Sequence, residues 1–108
     1  MFVPTELRKD TQINAAIQTV LREMSPWVRH IRYRIEKDWS DDWTVFFRVV
    51  LSDEAADRKH LRDVTSRVRS RLTDELDLPN LGMFTVTSFR SESEQAELND
   101  PDWAPISE

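Results

Sequence analysis

The residues able to do chemistry are few. His30 and His60 are the only two imidazoles in the chain, and there is no cysteine. Disulfides, thiolate zinc sites and cysteine nucleophiles are therefore excluded. His60 lies three residues from both Asp57 and Asp63, a spacing at which side chains can touch on a helix and hold a metal weakly. Such surface pairs are usually incidental. Asp38, Asp41 and Asp42 crowd one short stretch and resemble part of a calcium loop. They lack its twelve-residue spacing, central glycine and terminal bidentate glutamate, so turn chemistry accounts for them. Gly82 is the only glycine, which removes any glycine-rich phosphate loop. No constellation for catalysis stands out. The sequence reads as non-enzymatic, with no cofactor and no metal.

The elements that would position these residues are clearer. After Asp10 or Thr11 as cap, the apolar positions Ile13, Ala16, Ile17, Val20, Leu21 and Met24 keep to one face of an α-helix, which Pro26 stops. From Trp27 the period changes to two. Ile31, Tyr33 and Ile35 alternate with His30, Arg32, Arg34 and Glu36, the pattern of a half-buried strand. The turn-forming run KDWSDDW follows. The next run, WTVFFRVVL, puts Trp43, Val45, Phe47, Val49 and Leu51 on one side and Phe46, Arg48 and Val50 on the other, completing a hairpin. Ser52 is expected to cap a second helix reaching about Glu75, with Leu61, Val64, Val68 and Leu72 as its apolar stripe. Leu76, Leu78 and Leu81 are then assigned to a loop containing Pro79, Asn80 and Gly82. MFTVTSFR reads as a third strand, whose buried side the alternation leaves open. The expected fold is α+β: a two-layer sandwich in α–β–β–α–β order, with two helices on one face of a three-stranded mixed sheet. Were the second and third strands parallel, the helix between them would form a right-handed crossover.

Charge divides the 108 residues in two. Residues 1–91 hold all 15 basic residues and 14 acidic ones, net +1; residues 92–108 hold six acidic residues and no basic one, net −6. The reading is one α+β domain over 1–91 and an acidic, mostly unstructured tail over 92–108. Trp103, with Pro105 and Ile106, is the tail's one anchor-like feature, able to dock on its own domain or on a partner. No apolar run reaches membrane-helix length. The start, MFVPTELRKD, has no apolar core of signal-peptide length. A cytoplasmic protein is expected.

The stretch from Pro26-Trp27-Val28 through Ile31, Tyr33 and Ile35, then Trp43 to Leu51, then a helix opened by Ser-Asp-Glu, resembles the soluble C-terminal domain of cation-diffusion-facilitator transporters. The likeness spans residues 11–90 and lies in hydrophobic pattern and element order. It implies the same fold and a dimer. That family's modules often bind metal through histidine and acidic residues. With no membrane portion before it and only His30 and His60 to offer, this sequence gives no ground for a metal site.

With both helices on one face, the other sheet face would display His30, Arg32, Arg34 and Glu36 from the first strand and Phe46, Arg48 and Val50 from the second, too apolar for idle surface and too charged for a core. Self-association through that face or an exposed sheet edge, with docking of a protein partner on that face or on Trp103, is the leading expectation. The alternative is single-stranded nucleic-acid binding, with aromatics stacking on bases, arginines on phosphates and the acidic tail competing. The flanking arginines of the second helix are read as draping along the core's edge.

Overall fold

A computed structural model describes residues 9–76 and 82–104. The extended lead-in expected before residue 9, the Pro79–Asn80 loop with Leu78 and Leu81, and the Pro105–Ile106 end lie outside the described residues. The elements are α1 (Asp10–Met24), β1 (Val28–Lys37), β2 (Trp43–Leu51), α2 (Leu61–Leu76), β3 (Phe84–Ser91) and α3 (Glu92–Leu98), with a 3₁₀ turn at Pro101–Trp103. The fold is α+β with a three-stranded mixed sheet in the order β1-β2-β3. β1 and β2 are antiparallel, while β2 and β3 are parallel and connected through α2.

Each element follows from its residues. α1 buries Ile13, Ala16, Ile17, Val20 and Met24, the one-face set of a 3.6-residue period. Its cap differs from expectation: Lys9 occupies that position without a side-chain bond. Asp10 is already helical, and its carboxylate accepts the Tyr33 hydroxyl, tying the start of α1 to β1. The hairpin turn is built on Asp38, whose carboxylate accepts the backbone N–H of Ser40 at 2.8 Å and of Asp42 at 3.1 Å. Asp41 takes φ 64° there, a left-handed conformation that aspartate tolerates.

α2 starts later than Ser52 suggests. Ser52 does accept the Ala55 N–H at 3.1 Å, but a run of turns intervenes and helix begins only at Leu61. Asp57 supplies the entry: its Oδ1 accepts the backbone N–H of Lys59 at 2.9 Å and of His60 at 3.0 Å. Arg58 and His60 therefore precede the helix instead of lying along it. At its other end α2 includes Leu76, buried in the core and not in a loop.

Both long helices cover one sheet face. Val64, Val68, Leu72 and Leu76 of α2 join the α1 set over Ile31, Ile35, Val45, Phe47, Val49 and Leu51. Arg71 of α2 bridges to α1 by a two-pronged contact with Glu23, Nε to Oε2 at 2.7 Å and an Nη to Oε1 at 2.8 Å, and also meets Glu75 at 2.6 Å. The Arg71 bond holds the Glu23 carboxyl below its ordinary range. Phe89 packs against this core, which settles the third strand: Thr85, Thr87 and Phe89 face the helices.

Candidate functional site on the second sheet face

The strand registers arrange the opposite face as four cross-strand rows. His30, Val50 and Arg90 form the first, and Arg32, Arg48 and Ser88 the second. Arg34, Phe46 and Val86 form the third, and Glu36, Thr44 and Phe84 the last, beside the hairpin turn. The five sheet residues expected on this face, Arg32, Arg34, Phe46, Arg48 and Val50, are thus brought together on it. His30 and Glu36, expected there as well, share the face, and β3 adds Arg90.

The sixth candidate, Trp103, arrives from the tail. Residues 92–104 are not unstructured, which corrects the expectation for that part of the chain. The local reasons are legible in the structure. Ser91 and Glu94 form a reciprocal capping box, with the Ser91 side chain accepting the Glu94 N–H at 3.1 Å and Glu94 reaching back to the Ser91 N–H. Asn99 ends α3 in the left-handed conformation, φ 50°, with its N–H on the Gln95 carbonyl at 2.7 Å. Asp100 then caps the 3₁₀ turn, and Pro101 occupies its first position. The Asp53 carboxylate accepts the Ser93 N–H at 2.9 Å as well as its hydroxyl, joining α3 to the turns after β2. Those two Ser93 bonds, hydroxyl first, hold the Asp53 carboxyl below its ordinary range.

Turned back by Asn99, the chain seats Trp103 with only 7% of its surface exposed. The Arg90 guanidinium lies 4.3 Å from the centre of its ring, a cation–π contact. Arg90 also bonds Gln95 Oε1 at 3.1 Å and Asp100 at 3.4 Å. Arg32 donates to the Pro101 carbonyl at 2.7 Å and to the Ala104 carbonyl at 3.3 Å. His30 Nε2 bonds the Trp103 carbonyl. A carbonyl can only accept, so that nitrogen carries the proton. Arg34 meets Asp102 at 3.4 Å and Glu36 at 3.0 Å, and Arg29 meets Glu92 at 2.9 Å. Val50 is 2% exposed yet stands apart from the main core, as Trp103 does. These two are the apolar residues buried on the second face.

The tail leaves the other end of the face uncovered. Phe84 is 61% exposed and Val86 43%, with half-buried Phe46 between Arg34 and Val86. At the tip of the hairpin beyond them, Trp39 is 96% exposed. Trp39 is the functional candidate that alternation misses, because it sits in a turn run. Its signal is a tryptophan among Asp and Ser, where no fold requirement calls for one. No described strand pairs with the outer side of β3.

His60 lies elsewhere, on the helix-layer side of the molecule. Its ring meets Trp27 at 4.8 Å between centres, and its Nδ1 lies 2.9 Å from Asp57 Oδ1. Burial pushes the Asp57 carboxyl up, but the bonds from the His60 side chain and backbone outweigh it and hold it below its ordinary range. Because the same carboxylate also accepts two backbone N–H groups, it serves as the entry turn to α2. His30 and His60 do not converge, and among the described residues no three histidine or acidic side chains are placed to hold a metal ion. No helix among them is long and apolar enough to cross a membrane. Comparison with protein-family models, with curated proteins and with solved structures gave no match to this chain.

Proposed function

We propose that this chain is a small, non-enzymatic interaction module that self-associates through the end of the second sheet face that its tail leaves open. The observation carrying this reading is that Trp39, Phe84 and Val86 are exposed toward one end of the sheet, where no described strand pairs with the outer edge of β3. An exposed edge strand with apolar side chains is a template for another strand. A contiguous apolar patch on a small domain marks a contact surface. A second copy answers both features: a two-fold axis normal to the sheet beside β3 would pair the two edges antiparallel and bring the two Phe84–Val86 stretches side by side on one face of a continuous sheet. The likeness in element order to a module that dimerises in its own family is in line with this.

The nucleic-acid reading has less support. The arginine-rich half of the face is occupied by the chain's own Asp100, Asp102 and tail carbonyls, and the uncovered half is chiefly apolar.

The test is light-scattering mass on a sizing column, with absorbance monitored for nucleic acid. The wild-type chain is expected at twice the monomer mass. Phe84→Asp, at a position exposed enough to leave folding intact, is expected at the monomer mass. A wild-type monomer, or a dimer indifferent to Phe84→Asp, would refute the reading. A monomer carrying nucleic acid would put the alternative in its place.

A further inference from the structure

The covered end of the sheet face has the make-up of a recognition site with its ligand already in place. The contacts to residues 100–104 fall into three chemical kinds. His30 and Arg32 donate to the main-chain carbonyls of Pro101, Trp103 and Ala104. These bonds depend on the path of the peptide and not on its side chains. Arg90 and Arg34 meet the carboxylates of Asp100 and Asp102, which selects acidic groups three residues and one residue before the aromatic. Arg90, cross-strand from buried Val50, lies over the indole, and that selects the aromatic itself.

From this arrangement we propose that the His30–Arg32–Arg34–Arg90 end of the sheet recognises an acidic, tryptophan-bearing segment of another protein, with Asp100–Ala104 as the resident ligand in cis. The proposal is independent of self-association, which uses the opposite end of the face.

Two features favour exchange of the segment over a purely structural role. First, the main core is closed without it: every residue of that cluster belongs to α1, α2, the sheet or the adjoining loops. Departure of residues 100–104 leaves the helix–sheet interface untouched. Second, the charges are complementary and lopsided. Three arginines of this end are met by tail carboxylates or carbonyls, and the segment contributes no cation of its own. Vacated, the site is a cationic surface of His30, Arg32, Arg34 and Arg90, and an Asp-Pro-Asp-Trp sequence is the chemistry that fits it. A tethered ligand acts at an effective concentration of about millimolar. A partner segment therefore has to reach that local concentration or add contacts beyond the tail's own.

The experiment uses a fluorescently labelled peptide with the sequence of residues 99–108, NDPDWAPISE, and the full-length chain. Anisotropy titrations compare wild type with Trp103→Ala, which frees the site of its resident ring. The peptide is expected to bind Trp103→Ala at least about tenfold more tightly than wild type. Adding Arg32→Ala should weaken that binding by about tenfold, the loss expected for charge-assisted bonds. A peptide with alanine for the tryptophan should not bind. Circular dichroism of each variant checks folding. Asp102→Arg, a charge reversal at an exposed position, gives a second way to release the tail and is expected to admit the peptide likewise. Failure of the peptide to bind either folded variant, or binding indifferent to Arg32→Ala, would overturn the proposal. A wild-type dimer abolished by Trp103→Ala would assign the site to the tail of a second copy. Displacement of the peptide by a single-stranded oligonucleotide would assign it to nucleic acid. Either outcome overturns the partner-segment reading.

Discussion

Removing the Trp103 ring should have a consequence whose size can be worked from its surroundings. A buried aromatic withdraws roughly 150–250 Å² from water, worth about 4–6 kcal/mol at about 25 cal/mol per Å². In a rigid core, Trp→Ala costs about 3–5 kcal/mol because a cavity remains. Here the site is closed by a short segment near the chain's end. When the ring goes, residues 100–104 can leave the sheet, recovering the entropy of ordering them and returning His30 and Arg32 to water. The loss in unfolding free energy for Trp103→Ala is therefore expected at about 2 kcal/mol, below the rigid-core range. Urea denaturation followed by far-ultraviolet circular dichroism measures it. The Arg90 contact can be isolated by a double-mutant cycle of Trp103→Leu with Arg90→Met. Leucine keeps an apolar plug, so the tail stays seated and the Asp100 and Gln95 bonds to Arg90 cancel between the arms. With the guanidinium 4.3 Å from the ring centre and its side chain only 21% exposed, a coupling of about 1–2 kcal/mol is expected. Loss of less than about 0.5 kcal/mol for Trp103→Ala, the size of an ordinary surface change, would refute the docked tail. A coupling indistinguishable from zero would refute the cation–π account.

Other consequences can be measured on the same chain. Ser91→Ala removes half of the capping box and should lower stability by about 1 kcal/mol, measured by the same urea titration. The Glu23, Asp53 and Asp57 carboxyls are held below their ordinary values in the folded state. The stability they contribute is present above the unfolded values and is lost as pH falls through the folded ones. Denaturation midpoints should therefore decline from about pH 4.5 downward. Ser93→Ala, which removes the hydroxyl bond to Asp53 and leaves the backbone one, should flatten part of its share of that decline. Arg71→Ala should lower the melting temperature by unlinking α2 from Glu23 of α1, and the difference from wild type should shrink at about 1 M NaCl, where surface pairs are screened.

How far the sequence discloses this structure depends on whether a feature is periodic. α1 and the β1–β2 pair declare themselves because one face of each is buried against a core, and that burial imposes a repeat of 3.6 or two on the residue types. β2 matches the run Trp43–Leu51 to the residue. The start of α2 is misjudged because Ser52 and Asp57 are both competent caps. Ser52 closes only a turn, and nothing local says which of the two opens the helix. In β3 the parity is undecidable from Phe84, Val86 and Phe89 alone, since both sides of the strand carry an aromatic. Tertiary packing decides it, seating Phe89 under Arg69 of α2. The ordering of residues 92–104 is missed for a different reason. Composition speaks of an acidic, proline-containing segment, whereas the Ser91–Glu94 box, Asn99 and Asp100–Pro101 each place one backbone feature. Signals of single residues are lost when a segment is judged by its average.

The charge division illustrates the same point at the scale of the whole chain. A net +1 over residues 1–91 argues against a strongly basic surface when the residues are summed without regard to position. The fold does not distribute them evenly. β1 places His30, Arg32 and Arg34 on the second face, and β2 and β3 add Arg48 and Arg90. Glu36 is the acidic residue those four rows contribute, set in the row farthest from the tail. Local charge, not the sum, sets the potential that a ligand meets. The six acids that make the chain acidic overall all follow residue 91, and three of them, Glu92, Asp100 and Asp102, pair with Arg29, Arg90 and Arg34. The tail's charge and the face's charge are thus two halves of one contact, each leaving a different imbalance when the other is removed. A tail serving solubility alone would have no need of a seated tryptophan or of a proline-led turn aimed at arginines. Its sequence is better accounted for as that of a ligand, and the arginines of the sheet as the site that reads it.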